Sequence, residues 1–90
     1  MTGMSIRVEF YGVARLHAGC AEIDVDATSL GEALERIAGQ LPELAATCAV
    51  NGRLLPGYLA NVNGREFTRD PEARLKPGDT LLILSADMGG

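Results

Sequence analysis

Ninety residues allow one domain with a single core, burying about 60–65% of the surface its unfolded chain exposes. A composition that is 47% hydrophobic and 22% charged belongs to ordinary globular chains and not to disordered ones. Twelve acids against eight bases give a net charge of −4, a sign that repels phosphate backbones and argues against a direct nucleic-acid binder.

Ser5–Tyr11 alternates Ile6, Val8 and Phe10 with Arg7, Glu9 and Tyr11, the period of two that marks a strand with one buried face. Gly12–Gly19 reads as a glycine-bounded loop in which His17 stands alone as a surface residue. Cys20–Ala27 alternates again, with Ala21, Ile23, Val25 and Ala27 on one face and Glu22, Asp24 and Asp26 on the other. These two strands are expected to pair as an antiparallel hairpin. The period then changes: Leu30, Leu34, Ile37 and Leu41 fall on one stripe of a helix over 30–41. Ser29 with Glu32 three residues on fits a capping box, and Pro42 ends the pattern. The stretch 42–57 holds two turn signals, Asn51-Gly52 and Pro56-Gly57, and no period that assigns it a structure. Tyr58–Asn63 alternates Tyr58, Ala60 and Val62, and Asn63-Gly64 is a two-residue hairpin turn into 65–68. Lys76-Pro77-Gly78-Asp79 is a β-turn before the last strand, 80–85.

That last strand, TLLILS, is apolar on both faces, which places it inside a sheet. Its apolar run, Leu81–Leu84, is the longest in the chain and far short of a membrane span, and Met1–Ser5 has no charged-then-apolar leader. A cytoplasmic protein with no membrane attachment is expected. Cys20 and Cys48 match no ligand spacing such as C-x-x-C and read as reduced packing residues, so neither a metal site nor a bound cofactor is expected. The order ββαββ predicts an α+β domain of the β-grasp kind: a mixed sheet with its last strand beside its first and one main helix packed on one face. The expected core is Ile6, Val8, Phe10, Ile23, Val25, Leu34, Ile37, Val62, Leu81 and Ile83. Residues 1–85 form the domain on this reading, and 86–90, ending in Gly89-Gly90, form a flexible tail.

The segments VEFYGVARLHAG, SLGEALERI, NVNGRE and LKPGDTLLIL, in that order and followed by Gly89-Gly90 eleven residues beyond Asp79, resemble the MoaD/ThiS-type sulfur carriers. Those are ubiquitin-like β-grasp proteins. The match spans nearly the whole chain, and FYGVAR together with the length favours the MoaD side. Ser85-Ala86-Asp87-Met88 stands where MoaD proteins often carry a proline pair and a small residue, which leaves the final sulfur acceptor open.

The resemblance implies a carrier and not an enzyme, one that could be counted as the small subunit of a molybdopterin synthase. The Gly90 carboxylate is implied to be the reactive group, adenylated with ATP by a MoeB/ThiF-like activating enzyme and converted to a thiocarboxylate by a sulfurtransferase or other persulfide donor. A MoaE-like large synthase subunit, or another acceptor enzyme, then receives the sulfur. Two glycines suit a tail that must bring its backbone close to a nucleotide, where a Cβ would obstruct. Family-like placement of Leu81 and Ile83 toward the helix turns Leu82 and Leu84 outward; they form the expected partner patch, with Asp87, Met88 and Gly89 entering the partner. The alternative is that residues 42–57 cover that face. Sulfur donation for molybdopterin comes first among the functions, then donation for thiamine thiazole or another metabolite. Thiolation of tRNA through an enzyme comes third among the acceptors, and a ubiquitin-like modifier joined to target lysines through Gly90 and a plain interaction domain stand as the other classes.

Overall fold

The computed structural model describes residues 5–85; the tail expected at 86–90 lies outside the described residues. Ten elements follow one another: β1 (Ser5–Phe10), α1 (Val13–Ala18), β2 (Glu22–Asp26), α2 (Leu30–Gln40), α3 (Pro42–Cys48), β3 (Ala49–Val50), β4 (Arg53–Leu54), β5 (Tyr58–Val62), β6 (Glu66–Thr68) and β7 (Thr80–Ser85). Five strands make one sheet in the order β2-β1-β7-β5-β6, and β3 and β4 form a separate two-stranded ribbon. β1 and β7 run parallel, and every other neighbouring pair in the sheet is antiparallel. This is the expected mixed sheet, with the last strand at its centre beside the first.

Alternation along the strands sets the two faces. Register puts Val8 beside Leu81 and Phe10 beside Ile83, and Ala60 beside Ile83 on the other side of β7. These side chains, with Ile6, Val25, Leu30, Leu34 and Ile37, are buried in one core. Ile23 and Val62, also expected inside, are half-buried against it. Leu44, Cys48, Leu54 and Leu75 complete the core from segments without a readable period.

Helix α2 begins where its capping residues dictate. Ser29 Oγ accepts from the Glu32 backbone N–H (3.2 Å), while the Glu32 carboxylate accepts from the backbone N–H and hydroxyl of Thr28 (2.8 and 3.0 Å). The Thr28 N–H, then its hydroxyl, hold the Glu32 carboxyl below its ordinary range. The next donors, Leu30 and Gly31 N–H, reach the carbonyls of Ala73 and Pro71, so the chain leading into β7 satisfies the helix end that α2 alone leaves open. Leu41 closes the helix through its N–H to the Ile37 carbonyl (2.7 Å).

Two sequence expectations change, and one stretch left open is filled. Residues 12–19 are not a loop: Val13–Ala18 is a six-residue helix that includes His17, set between Gly12 and a left-handed Gly19 cap (φ 74°) whose N–H bonds the Arg15 carbonyl. It buries Ala14 and Ala18, one turn apart, and is too short to display a helical period. Residues 42–57 hold α3 and the β3–β4 ribbon, with Pro42 both stopping α2 and opening α3. The turn after β5 keeps Asn63 and Gly64 at positive φ (57° and 70°), closed by Arg65 N–H to the Val62 carbonyl. Register nevertheless pairs Val62 with Glu66, so three residues and not two connect the strands.

Asp79 ties that hairpin to the turn before β7. Its carboxylate accepts from the Lys76 N–H (2.8 Å) and from Asn63 Nδ2 (3.0 Å), and Asn63 Oδ1 accepts from the Thr80 N–H (2.8 Å). The Asn63 side-chain bond, followed by the Lys76 N–H and the Lys76 charge, lowers the Asp79 pKa below its ordinary value. A carboxyl more acidic in the folded than in the unfolded chain stabilises the fold above its unfolded pKa, near 3.9, and loses that contribution as pH falls through the folded value. Asp79→Ala is therefore expected to cost about 1–2 kcal/mol at pH 7 and to flatten the acid limb of the stability profile, measured by urea unfolding from pH 7 to pH 2. Equal losses at pH 7 and pH 2 would contradict this role.

Candidate functional site

Because β7 is central, its two faces do different work. Leu81 and Ile83 are buried toward α2; Leu82 and Leu84 point to the opposite face and are half-buried there, the placement the alternation predicts. Residues 42–57 do not cover them. α3 packs against α1 and α2, and β4 against α2, so this segment belongs to the helical layer on the far side of the sheet.

Register builds the outer face row by row. One row runs Phe67, Asn61, Leu82, Glu9, Glu22, and the next sets Leu59 beside Leu84. Leu59, Leu82, Leu84 and Phe67 thus make an apolar patch over β5, β6 and β7. Phe67 is 62% exposed, a large aromatic ring in water on an edge strand. Toward β1 and β2 the same face turns acidic, with Glu9, Glu22, Asp24 and Asp26 relieved by Arg7, which lies 3.6 Å from Glu22. Tyr11, 45% exposed at the end of β1, donates its hydroxyl to Glu9 (3.3 Å). An apolar patch with an acidic flank suits a protein partner far better than a small substrate.

A cavity of about 490 Å³ between β2 and α2 is open and lined by Asp24, Asp26, Glu35 and Arg36 among others. It borders the other edge of the sheet, away from the apolar patch. Cys48 is buried, and burial pushes its thiol above the ordinary range against the opposing hydrogen bond of Tyr58. It stays protonated and is a packing group. Cys20 is half-buried against the core, and both cysteines are free.

The end of β7 is held firmly. Ser85, its last residue, pairs with Tyr58 and is buried. The backbone leading into Tyr58 is fastened by Arg69, whose guanidinium donates to the carbonyls of Tyr58, Leu54 (3.2 Å) and Leu55 (3.3 Å). Whatever follows Ser85 therefore leaves from a fixed point beside the apolar patch. Asp87, Met88, Gly89 and Gly90, the remaining expected site residues, lie outside the described residues. Sequence reading missed Leu59, Asn61 and Phe67. The alternation of Glu66-Phe67-Thr68 hinted at Phe67, but its face depends on the three-residue connection after β5.

No protein-family model and no curated protein sequence matches the chain. Solved structures do. Small archaeal modifier protein 1 from Methanosarcina acetivorans superposes with a TM-score of 0.80 at 22% identity, over 96% of each chain. A chain of the Amycolatopsis orientalis BexX/CysO complex gives 0.78 at 26% identity, over 94% of this chain and 99% of that one. A Pyrococcus furiosus protein described as molybdopterin converting factor subunit 1 gives 0.68 at 17% identity, over 91% of this chain and 97% of that one. The chain has the β-grasp, ubiquitin-like fold that these structures share.

The two faces of β7 predict opposite responses to one kind of change. Leu82→Ser with Leu84→Ser is expected to cost about 1–2 kcal/mol in all, since both are already half in water. Leu81→Ala alone is expected to cost about 2–5 kcal/mol. Denaturant unfolding of the two variants compares them directly, and a larger loss for the double variant would reverse the assignment of the faces.

Proposed function

We propose that this chain is a cytoplasmic sulfur carrier acting in molybdopterin synthesis, with the α-carboxylate of Gly90 as its reactive group. The observation that supports the reading most is positional: a rigid central strand ends beside an apolar patch, five residues before Gly90. The likeness to the protein described as molybdopterin converting factor subunit 1 adds support for the molybdopterin assignment.

A carboxylate resists attack until its oxygen becomes a leaving group. On this reading a MoeB/ThiF-like enzyme binds ATP, and a Gly90 carboxylate oxygen attacks the α-phosphate. Pyrophosphate leaves and an acyl-adenylate remains. A persulfide sulfur supplied by a sulfurtransferase then displaces AMP at the carbonyl carbon; reductive cleavage of the resulting acyl disulfide by a thiol releases the thiocarboxylate. The large synthase subunit draws its sulfur from that group. The carrier's own work is to bind and to deliver. Leu82 and Leu84, joined by Leu59 and Phe67, seat the partner, while Asp87, Met88 and Gly89 lead Gly90 into its active site. Holding five tail residues in a channel costs on the order of 5–10 kcal/mol. Apolar burial on the patch, about 1–2 kcal/mol for each such side chain, offsets much of this.

A second reading is attachment of Gly90 to lysines of target proteins, favoured by the likeness to small archaeal modifier protein 1. It uses the same adenylate and the same patch, and differs in the nucleophile that follows.

Deletion of Gly89-Gly90, or addition of one residue after Gly90, is expected to abolish carrier-dependent ATP–pyrophosphate exchange by the MoeB/ThiF-like enzyme of the same organism while leaving Tm unchanged. Gly90→Ala is expected to reduce exchange less than deletion does. Full exchange by the truncated protein would overturn the proposal.

A further inference from the structure

The centre of the apolar patch is polar. Asn61 is only 5% exposed, yet its register places it on the outer face, between Leu82 on β7 and Phe67 on β6. Among the described residues its side-chain oxygen Oδ1 is buried and has no hydrogen-bond partner. Buried polar atoms are nearly always satisfied, because an orphaned acceptor forfeits its bond to water and gains nothing in return. Packing does not call for an amide here, since Leu59, Leu82 and Leu84 occupy neighbouring positions on this face.

We infer that Asn61 is the specificity-determining contact of the partner surface, accepting at Oδ1 a hydrogen bond from an N–H or O–H group of the docked adenylating enzyme. The inference rests on the carrier reading above and adds to it the chemistry of the partner: an apolar docking surface with a single donor at its centre. Geometry gives the donor a route. Phe67 is largely exposed on the edge strand β6, and exposed side chains change rotamer within nanoseconds. A partner seated on Leu82 and Leu84 that displaces the Phe67 side chain, the cross-strand neighbour of Asn61, meets the amide. An apolar surface without the donor leaves the orphan as it is in the free chain, whereas one that carries the donor gains a hydrogen bond, so one atom separates the right partner from other greasy surfaces.

The test pairs Asn61→Leu with a measurement on the unaltered chain, using the purified MoeB/ThiF-like enzyme of the same organism as probe. Asn61→Leu removes the orphan and is expected to leave Tm equal or higher while weakening binding in calorimetry at least tenfold. In the unaltered protein, the Asn61 side-chain ¹³Cγ resonance is expected to move on complex formation as the carbonyl gains its donor. Unchanged affinity, a lowered Tm in the variant, or an unmoved ¹³Cγ resonance in a formed complex would each overturn the inference. If the unaltered chain supports no ATP–pyrophosphate exchange, the carrier reading itself fails; if it does and Asn61→Leu binds equally well, only the role of Asn61 falls.

Discussion

Strand β7 exchanges backbone hydrogen bonds with β1 on one side and β5 on the other. The parallel pairing with β1 joins opposite ends of the chain, so nearly everything between them must be folded away as one crossover. That crossover contains α2, whose apolar stripe covers the inner face of the sheet, and the chain from 69 to 79, whose carbonyls complete the start of α2. Contacts of such separation carry a large loop-closure cost before they return any energy. Four apolar residues in a row on β7 supply the return.

A central strand has no edge to offer, so its usefulness lies in its faces and its end. The inner face is spent on the core. The outer face, with the acidic strands β1 and β2 on one side and Phe67 on the other, gives a surface whose halves differ in chemistry. Arg69 keeps the backbone opposite Ser85 from fraying by filling three carbonyls with one guanidinium. The proposed carrier role needs this division of labour, because on that proposal the reacting group travels into another protein while its base stays still. Cys48, kept protonated by burial, is a packing group.

The strands and α2 could be read from the sequence because each repeats its apolar positions long enough to show a period. Leu30, Leu34 and Ile37 display the helix, and Ile6, Val8 and Phe10 the strand. Helix α1 could not be read, since six residues between two glycines look the same as a loop. Among the described residues α3 gives Leu44 and Cys48 to the core, and β3 and β4 are two residues each, too short for alternation to mean anything. Leu75 is buried from an irregular segment, where no period exists. At the candidate site, the facing of Leu82 and Leu84 followed from alternation, while the company they keep did not. Leu59, Asn61 and Phe67 join them through cross-strand register, a property of the folded sheet and not of any local stretch. The roles of Asp87, Met88, Gly89 and Gly90 were read from resemblance and remain part of the proposal.

The proposal that Gly90 carries sulfur is tested most directly by intact-mass analysis of the protein isolated from its own cells, with fragmentation of the C-terminal peptide. A population heavier by the exchange of one oxygen for one sulfur, with the gain confined to Gly90, is the predicted result. A C-terminal peptide that is found only as the unmodified carboxylate, under conditions where the cells are making sulfur-containing cofactors, or only in isopeptide linkage to other proteins, would contradict it.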